Sequence, residues 1–456
     1  MAFVILDVRM TMTTVGFISL GCSKNLVDSQ VMAGYLKAGH IALAASPETA
    51  EVILINTCAF IEAAREEAAE TILSACAHKA DGACRAVVVT GCMVQRYRKR
   101  LMKAFPDVDA FIGIDELEQV GDVVARVAKG KRVGVIATAG VAKKLYNPPY
   151  PTLLFSGGPF AYLKIADGCD HHCAYCAIPL IRGSFRSRTM GDIVAEAQSM
   201  VSAGVREINL VSQDSLMYGA DKTKKPQIAK LLRRLDAIDG EFWLRVLYGY
   251  PSGVTGELLD ALNTSRHLCK YLDLPIQHSH PQILAAMNRS PAIKATSGLT
   301  ARLREAVPGI VLRTTCLVGF PGETEAHFEH LLETLAESAF DHLGVFAYSP
   351  EEGTAAFGRD APDIEIAEER CTRVMALQKK IVAQRMKALI GTTDTALLLR
   401  QTKPGVWQAR LPRQAPEVDG ETRVTGIPLK TAKPGDFVRV EITGSQGYDI
   451  HAAAGK

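Results

Sequence analysis

No apolar run in this 456-residue chain approaches the roughly 18 consecutive residues of a membrane-spanning helix, so no such segment is expected. An excess of one charge is also missing. With 52 Lys and Arg against 49 Asp and Glu, the net charge of +3 argues against a broadly basic nucleic-acid surface and leaves only a local patch open. The first residues lack a basic stretch followed by a long apolar core. Ala2–Leu6 is a short apolar run ended by Asp7 and Arg9, which is not a secretion signal. Patterned sequence begins near Val15, so Met10 or Met12 competes with Met1 as the start. Low-complexity segments are absent. Without a secretion signal, eleven cysteines indicate a reducing compartment in which thiols serve as ligands or core residues, and a cytoplasmic protein is expected.

What is present is length enough for about three domains and two sets of cysteines. Cys169, Cys173 and Cys176 form a CxxxCxxC within Cys169-Asp-His-His-Cys-Ala-Tyr-Cys176. Three thiolates so close can hold three irons of a cubane cluster and leave the fourth open. A zinc reading would use His171 or His172 as fourth ligand, but structural zinc usually draws on two separated pairs.

The second set is dispersed. Val15-Gly-Phe-Ile-Ser-Leu-Gly-Cys22, Glu51-Val-Ile-Leu-Ile-Asn-Thr-Cys58 and Arg85-Ala-Val-Val-Val-Thr-Gly-Cys92 are apolar runs, each ending in a cysteine, about 35 residues apart. Each has the length and β-branching of a buried parallel strand. Helix-like stretches, about 28–38 and 61–75, lie between them, giving a βαβ pattern. In a parallel sheet the carboxyl ends share one edge, where ligands bind. Cys22, Cys58 and Cys92 should therefore converge as a second metal or cluster site, the competing reading being three buried core cysteines. Cys76, Cys84, Cys269, Cys316 and Cys371 are read as structural.

Four prolines between 148 and 159 mark a linker. Strand patterns then recur at 160–166, 207–211, 242–248, 271–274, 311–318 and 343–348, with helical stretches such as 192–203, 228–238 and 325–338. This predicts a full or partial βα barrel of TIM-like type, with the cysteine triplet at the carboxyl edge of its first strand. An amphipathic helix over about 366–389 ends at Gly391. Short strands at 395–399, 406–410, 422–425 and 437–443 then predict a small all-β barrel. The domain expectation is 13–127 for the N-terminal α/β domain, 128–158 for the linker, 159–391 for the central core and 392–456 for the barrel.

The triplet is the spacing shared by radical S-adenosylmethionine (SAM) enzymes, and the chain from about Val15 to Ala453 resembles their methylthiotransferase family. The matching pieces are Ser19-Leu-Gly-Cys-Ser-Lys-Asn25, Asn56-Thr-Cys58, Thr90-Gly-Cys92, the triplet with Ala177-Ile-Pro179 and Arg182-Gly183, and Val318-Gly-Phe-Pro-Gly-Glu-Thr324. The resemblance implies an N-terminal cluster domain, a radical SAM barrel and a C-terminal TRAM barrel. It implies two 4Fe–4S clusters, one on Cys22, Cys58 and Cys92 for sulfur delivery, the other on Cys169, Cys173 and Cys176 for SAM cleavage. Two SAM molecules per turnover would supply the methyl group and the radical, with hydrogen removed as an atom and no strong base required.

Ser212-Gln-Asp214 and Ala415-Pro-Glu-Val-Asp-Gly420 resemble the branch that methylthiolates the β-carbon of an aspartate in small-subunit ribosomal protein twelve, making the chain a sulfur-containing-group transferase. Tyr248-Gly-Tyr-Pro-Ser252 departs from the family pattern, with Ser where His is common. The implied partners are that ribosomal protein, a low-potential donor such as a flavodoxin and a sulfur donor. The alternatives are a tRNA adenosine substrate, or a zinc-binding RNA-interaction protein.

Residues expected near SAM are Tyr175, Gln213, Gln277 and Gly319. Arg182, Arg186 and Arg188 are read as a basic segment that meets SAM's carboxylate or an acidic side chain of the substrate, or that faces solvent. His278 and His280 are candidate ligands that are more simply loop histidines. Residues 392–456 carry nine Lys and Arg against seven Asp and Glu, less basic than an RNA-gripping barrel should be. Glu417, Asp419 and Glu421 form an acidic cluster, read either as recognition for a basic ribosomal protein or as a solvated turn.

Overall fold

The computed structural model describes residues 13–145, 158–289, 296–427 and 432–455. The candidate starts Met1, Met10 and Met12 and the linker prolines up to residue 151 lie outside them. Among the described residues no helix is long and apolar enough to cross a membrane. The chain forms two compact units, one of residues up to 155 with Leu180–Gly183, the other of 156–179 and 184–456.

The first unit is a six-stranded sheet: β1 (Thr14–Ser19), β2 (Ala42–Leu43), β3 (Val52–Thr57), β4 (Ala86–Gly91), β5 (Ala110–Ile112) and β6 (Gly134–Ile136). All pairings are parallel, in the order β2-β1-β3-β4-β5-β6. Every residue of β3 and β4 is buried, as continuous apolar runs require when helices cover both faces. Each buried Val, Ile or Leu contributes about 1.5–3 kcal/mol. Helices follow at Ser23–Ala38 and Glu62–Asp81, both longer than the sequence pattern suggested. After β1 the chain runs outward to β2, then returns past β1 to β3. The winding reverses there, the place where such sheets open a ligand crevice at their carboxyl ends.

The second unit begins with β7 (Phe160–Lys164), followed by the short β8 (Ala166–Asp167) and β9 (Arg186–Ser187), which pair with each other. Then come β10 (Glu207–Val211), β11 (Trp243–Val246), β12 (Leu268–Asp273), β13 (Val311–Val318) and β14 (His342–Ala347). The sheet order β7-β10-β11-β12-β13-β14 is parallel throughout, and β14 does not return to β7. The barrel is therefore partial. Helix Ile364–Leu389 leads into β15 (Thr393–Lys403), β16 (Val406–Arg410), β17 (Thr422–Thr425), β18 (Phe437–Gln446) and β19 (Asp449–Ala454), a closed five-stranded barrel around Trp407, Val424, Val440 and Ile450. The strand β19, which closes it, had no expectation from sequence.

The turn between β16 and β17 overturns the reading of Asp419 as part of a free acidic surface and gives the exposed Glu417 a partner. The Asp419 side chain has no exposure and accepts from Tyr271 Oη (2.8 Å, on β12) and Arg313 Nη1 (2.6 Å, on β13). Its carboxylate also lies 3.2 Å from Nδ1 of His342, the first residue of β14. Glu417 accepts from Tyr162 Oη (2.7 Å) on β7. Buried Glu207, which opens β10, ion-pairs with Arg245 on β11 (3.1 Å) and with Arg410 on β16. The turn thus fastens the small barrel to the buried residues of the βα sheet and withdraws Asp419 from the acidic cluster, while Glu417 and Glu421 stay exposed. A buried carboxylate needs such partners, because unpaired it would cost several kcal/mol.

Candidate functional site: two cysteine triads at sheet carboxyl ends

Cys22, Cys58 and Cys92 follow β1, β3 and β4, at the winding reversal. Cys22 caps the helix Ser23–Ala38, so its sulfur faces the positive end of a helix dipole. Desolvation by the loop pushes the Cys22 thiol up, but Lys24, Arg182 and the backbone N–H groups of Asn25 and Lys24 outweigh it and leave its pKa lowered. Cys58 and Cys92 are buried, and burial pushes both thiols up, Cys58 to about 12.

Two glycines allow the approach. Gly21 has φ +85°, and a Cβ there would lie 2.7 Å from Cys58 Cβ and 3.0 Å from its Sγ. Gly91 has φ +96°, with the Thr57 carbonyl oxygen 2.5 Å from where a Cβ would be. Fully buried Asn25 ties the loops together. Its Nδ2 donates to Leu20 O (3.2 Å) and Thr57 O (3.0 Å), while its Oδ1 lies 3.5 Å from Cys92 Sγ. Asn56 Nδ2 returns a bond to Asn25 O (2.7 Å).

The second set lies beyond β7 and β8, on the loop at their carboxyl end. Cys169, Cys173 and Cys176 are all partly exposed, and burial raises the Cys169 and Cys176 thiols to about 12. His171 Nε2 bonds Asp214 Oδ2 (2.6 Å) and its ring stacks on Tyr250 at 3.9 Å. Arg289 crosses the other side of Tyr250's surroundings, with its guanidinium 4.3 Å from that ring. It donates to Tyr175 Oη (3.0 Å) and Pro275 O (2.8 Å) and stands 3.7 Å from Cys173 Sγ. Ala356 N donates to Ala174 O (2.8 Å), fixing the middle of the loop.

Three family models match in chain order: an uncharacterized protein family, UPF0004, over 14–113; the radical SAM superfamily over 163–335; and the TRAM domain over 390–454. The ribosomal protein uS12 methylthiotransferase RimO of Pelotomaculum thermopropionicum is 42% identical over 442 residues, 96% of this chain and 98% of that protein. The chain belongs to the RimO family of methylthiotransferases. RimO of Geobacter sulfurreducens is 41% identical, with 96% and 97% covered. Among solved structures, the radical SAM methyltransferase TsrM from Kitasatospora setae aligns with a TM-score of 0.54 at 13% identity, over 93% of this chain and 84% of that one. The radical SAM enzyme OxsB aligns at 0.51 and 12%, over 82% and 56%. These two likenesses show the fold alone.

For a RimO-family chain the donor sets fit the implied clusters. Each consists of three cysteines and no fourth, held in loops that glycine or a buried arginine shapes. Among the described residues, no three His, Cys, Asp or Glu side chains gather as a single metal ion would require. Near the triplet, Gln213 Nε2 donates to Asp167 Oδ1 (2.9 Å), while its Oε1 is buried without a hydrogen-bond partner. Tyr175 stands beside the triplet, edge-on to Phe320 with ring centroids 6.4 Å apart. Gln277 is held at φ +68° and bridges Cys316 of β13. Gly319 (φ +73°) has Ala367 Cβ 2.5 Å from where its own Cβ would be, so its need for glycine is explained by packing on helix Ile364–Leu389.

The basic segment is corrected. Arg182 and Arg188 are buried, paired with Asp28 (2.9 Å) and Glu196 (2.7 Å), and do not form a solvated face. Arg289 was not anticipated. Met287-Asn-Arg289 carries no motif, and only the fold brings it to Cys173.

His278 is fully buried, and burial, assisted by His280, His327, His330 and Arg370, lowers its pKa to about 3. The unfolded chain therefore binds the extra proton first, and stability falls as pH drops from about 6.5 toward 3. Between pH 6.5 and 5 the expected loss is about 2 kcal/mol. Denaturation midpoints measured across that window should show the slope in the parent and not in His278→Gln.

Proposed function

We propose that this chain adds a methylthio group to the β-carbon of an aspartate in ribosomal protein uS12. The observation that carries the reading is the pair of cysteine triads, each at the carboxyl edge of its own parallel sheet, in a chain 42% identical over its length to a RimO protein. Cys22, Cys58 and Cys92 hold one 4Fe–4S cluster, and Cys169, Cys173 and Cys176 hold the other. When bound, the clusters and SAM supply a low-potential electron, one-electron chemistry at carbon, delivery of the donor's sulfur, and the methyl to be transferred.

The chain's own residues prepare the two sites. Gly21 and Gly91 let three loops close to contact, and Asn25 fixes their spacing. Arg289 and His171 wall the triplet, Tyr175 lines the SAM side, and Gln213 Oε1 offers SAM or substrate a buried acceptor. Gln277 and Gly319 shape the same edge through their backbones. Electrons come from a low-potential protein donor such as a flavodoxin, sulfur comes from a separate donor, and the reaction takes place in the cytoplasm. In domain terms, 13–127 carries the first cluster, 159–391 the second, and 392–456 the TRAM barrel.

Anaerobically reconstituted protein should hold about eight irons per chain, and Cys22→Ala/Cys58→Ala/Cys92→Ala about four. About four in both would remove the sulfur-delivering cluster and the methylthiotransferase reading with it. A methylthio mass increase on a tRNA nucleoside, with none on uS12, would overturn the substrate.

A further inference from the structure

Arg182 lies six residues beyond Cys176 in the chain, yet Leu180–Gly183 folds with the first unit. The residue is 1% exposed and has one of the largest fully buried side chains among the described residues. Burial of that charge is offset by Asp28, whose carboxylate is 2.9 Å away and itself buried. Neutralisation alone would need no more than that contact. The same nitrogen does more. This Nη2 also donates to Asn25 Oδ1 (2.7 Å), the residue that ties the cysteine loops, and reaches Cys92 Sγ at 3.4 Å.

We infer that Arg182 is a positioning residue of the N-terminal triad: held by Asp28, it donates to the Cys92 sulfur and sets the reduction potential of the cluster that sulfur would ligate. The inference rests on the proposed cluster at Cys22, Cys58 and Cys92. Hydrogen bonds to ligand sulfurs and the net charge around a cluster are among the quantities that fix its potential. Reduction is uptake of one electron, with no bond made or broken, so a nearby positive charge favours the reduced form and a negative charge the oxidised form. Arg182 and Asp28 therefore act on the same sulfur with opposite sign.

This pairing gives a test that loosened packing would not imitate. In full-length Cys169→Ala/Cys173→Ala/Cys176→Ala protein, only the N-terminal triad is left to hold a cluster. Its potential is read by dithionite titration with electron paramagnetic resonance, and iron is counted in every sample. Arg182→Gln should move the potential to more negative values and Asp28→Asn to more positive ones, while Arg182→Lys stays close to the parent. Shifts of the two neutral variants in the same direction, or none in iron-loaded protein, would overturn the role of Arg182. Should Arg182→Gln fail to take up iron, Asp28→Asn and Arg182→Lys decide by the same criterion. A parent that itself binds no iron would instead sink the proposed cluster, which separates the two failures.

Discussion

Gly91→Ala should take the iron of the N-terminal triad away, lowering the total from about eight per chain to about four. Gly91 has φ +96° and ψ −157°, a region open essentially to glycine alone, and forcing a side chain there costs about 1–3 kcal/mol. The new Cβ would also meet backbone: Thr57 O at 2.5 Å and Thr57 N at 2.8 Å. Those atoms belong to the end of β3, beside Cys58, and cannot turn away as the tip of a long side chain could. Relief requires β4 to separate from β3 at the point where Cys92 leaves the sheet. Overpacking of this kind adds about 1–3 kcal/mol. Gly121→Ala is the control, since it stands in helix Val120–Val127 with nothing within 4 Å of its added Cβ. There alanine should be neutral or mildly stabilising. Iron, labile sulfide and thermal melting of the three proteins check the contrast. Full iron loading in Gly91→Ala would show that the close contact of the two strand ends is not what builds the site.

How much of this was legible depends on how far each residue's partners lie along the chain. β1, β3 and β4 announced themselves because strands buried on both faces must be continuously apolar, and their terminal cysteines followed from parallel winding. The short strands β2, β5 and β6, of two or three residues, carry too little pattern to be read. The six βα strands were legible by alternation, but alternation does not say whether the ends of a sheet meet. Only the missing pairing of β14 with β7 makes the barrel partial. Arg182 was misread because its sequence neighbours are the triplet and other arginines, while its partner Asn25 is 157 residues away and Cys92 is 90. Nothing local distinguishes a buried arginine from a solvated one. The same holds for Asp419, whose alternate spacing with the exposed Glu417 and Glu421 looks like a solvated turn throughout.

Asp419 is where that misreading has its largest energetic consequence. Asp419→Ala should lower the stability of the second unit by about 3–5 kcal/mol, the usual cost of removing one partner from a buried ion pair. Arg313 is 16% exposed, and its Nη1 loses the carboxylate at 2.6 Å. Asp273, 3.8 Å from Arg313 Nε, is the counter-charge that remains beside it. Tyr271 loses the acceptor of its hydroxyl, and the turn itself loses the bond from Ala415 N (2.7 Å). Asp419→Asn keeps an acceptor without the charge and should fall between parent and Ala. If the damage is an orphaned charge, Arg313→Met added to Asp419→Ala should recover part of the loss, because the two changes share one interaction. Denaturant unfolding of the parent, Asp419→Ala, Arg313→Met and the double variant gives the cycle, with Asp419→Asn measured beside them. Equal stability of Asp419→Ala and parent would mean that this carboxylate does not fasten the barrel, and the solvated acidic turn would be restored as a candidate surface for a basic ribosomal protein. The expected loss takes Asp419 out of recognition of that substrate, since its side chain has no exposure and its carboxylate is already held by Tyr271, Arg313 and Ala415 N.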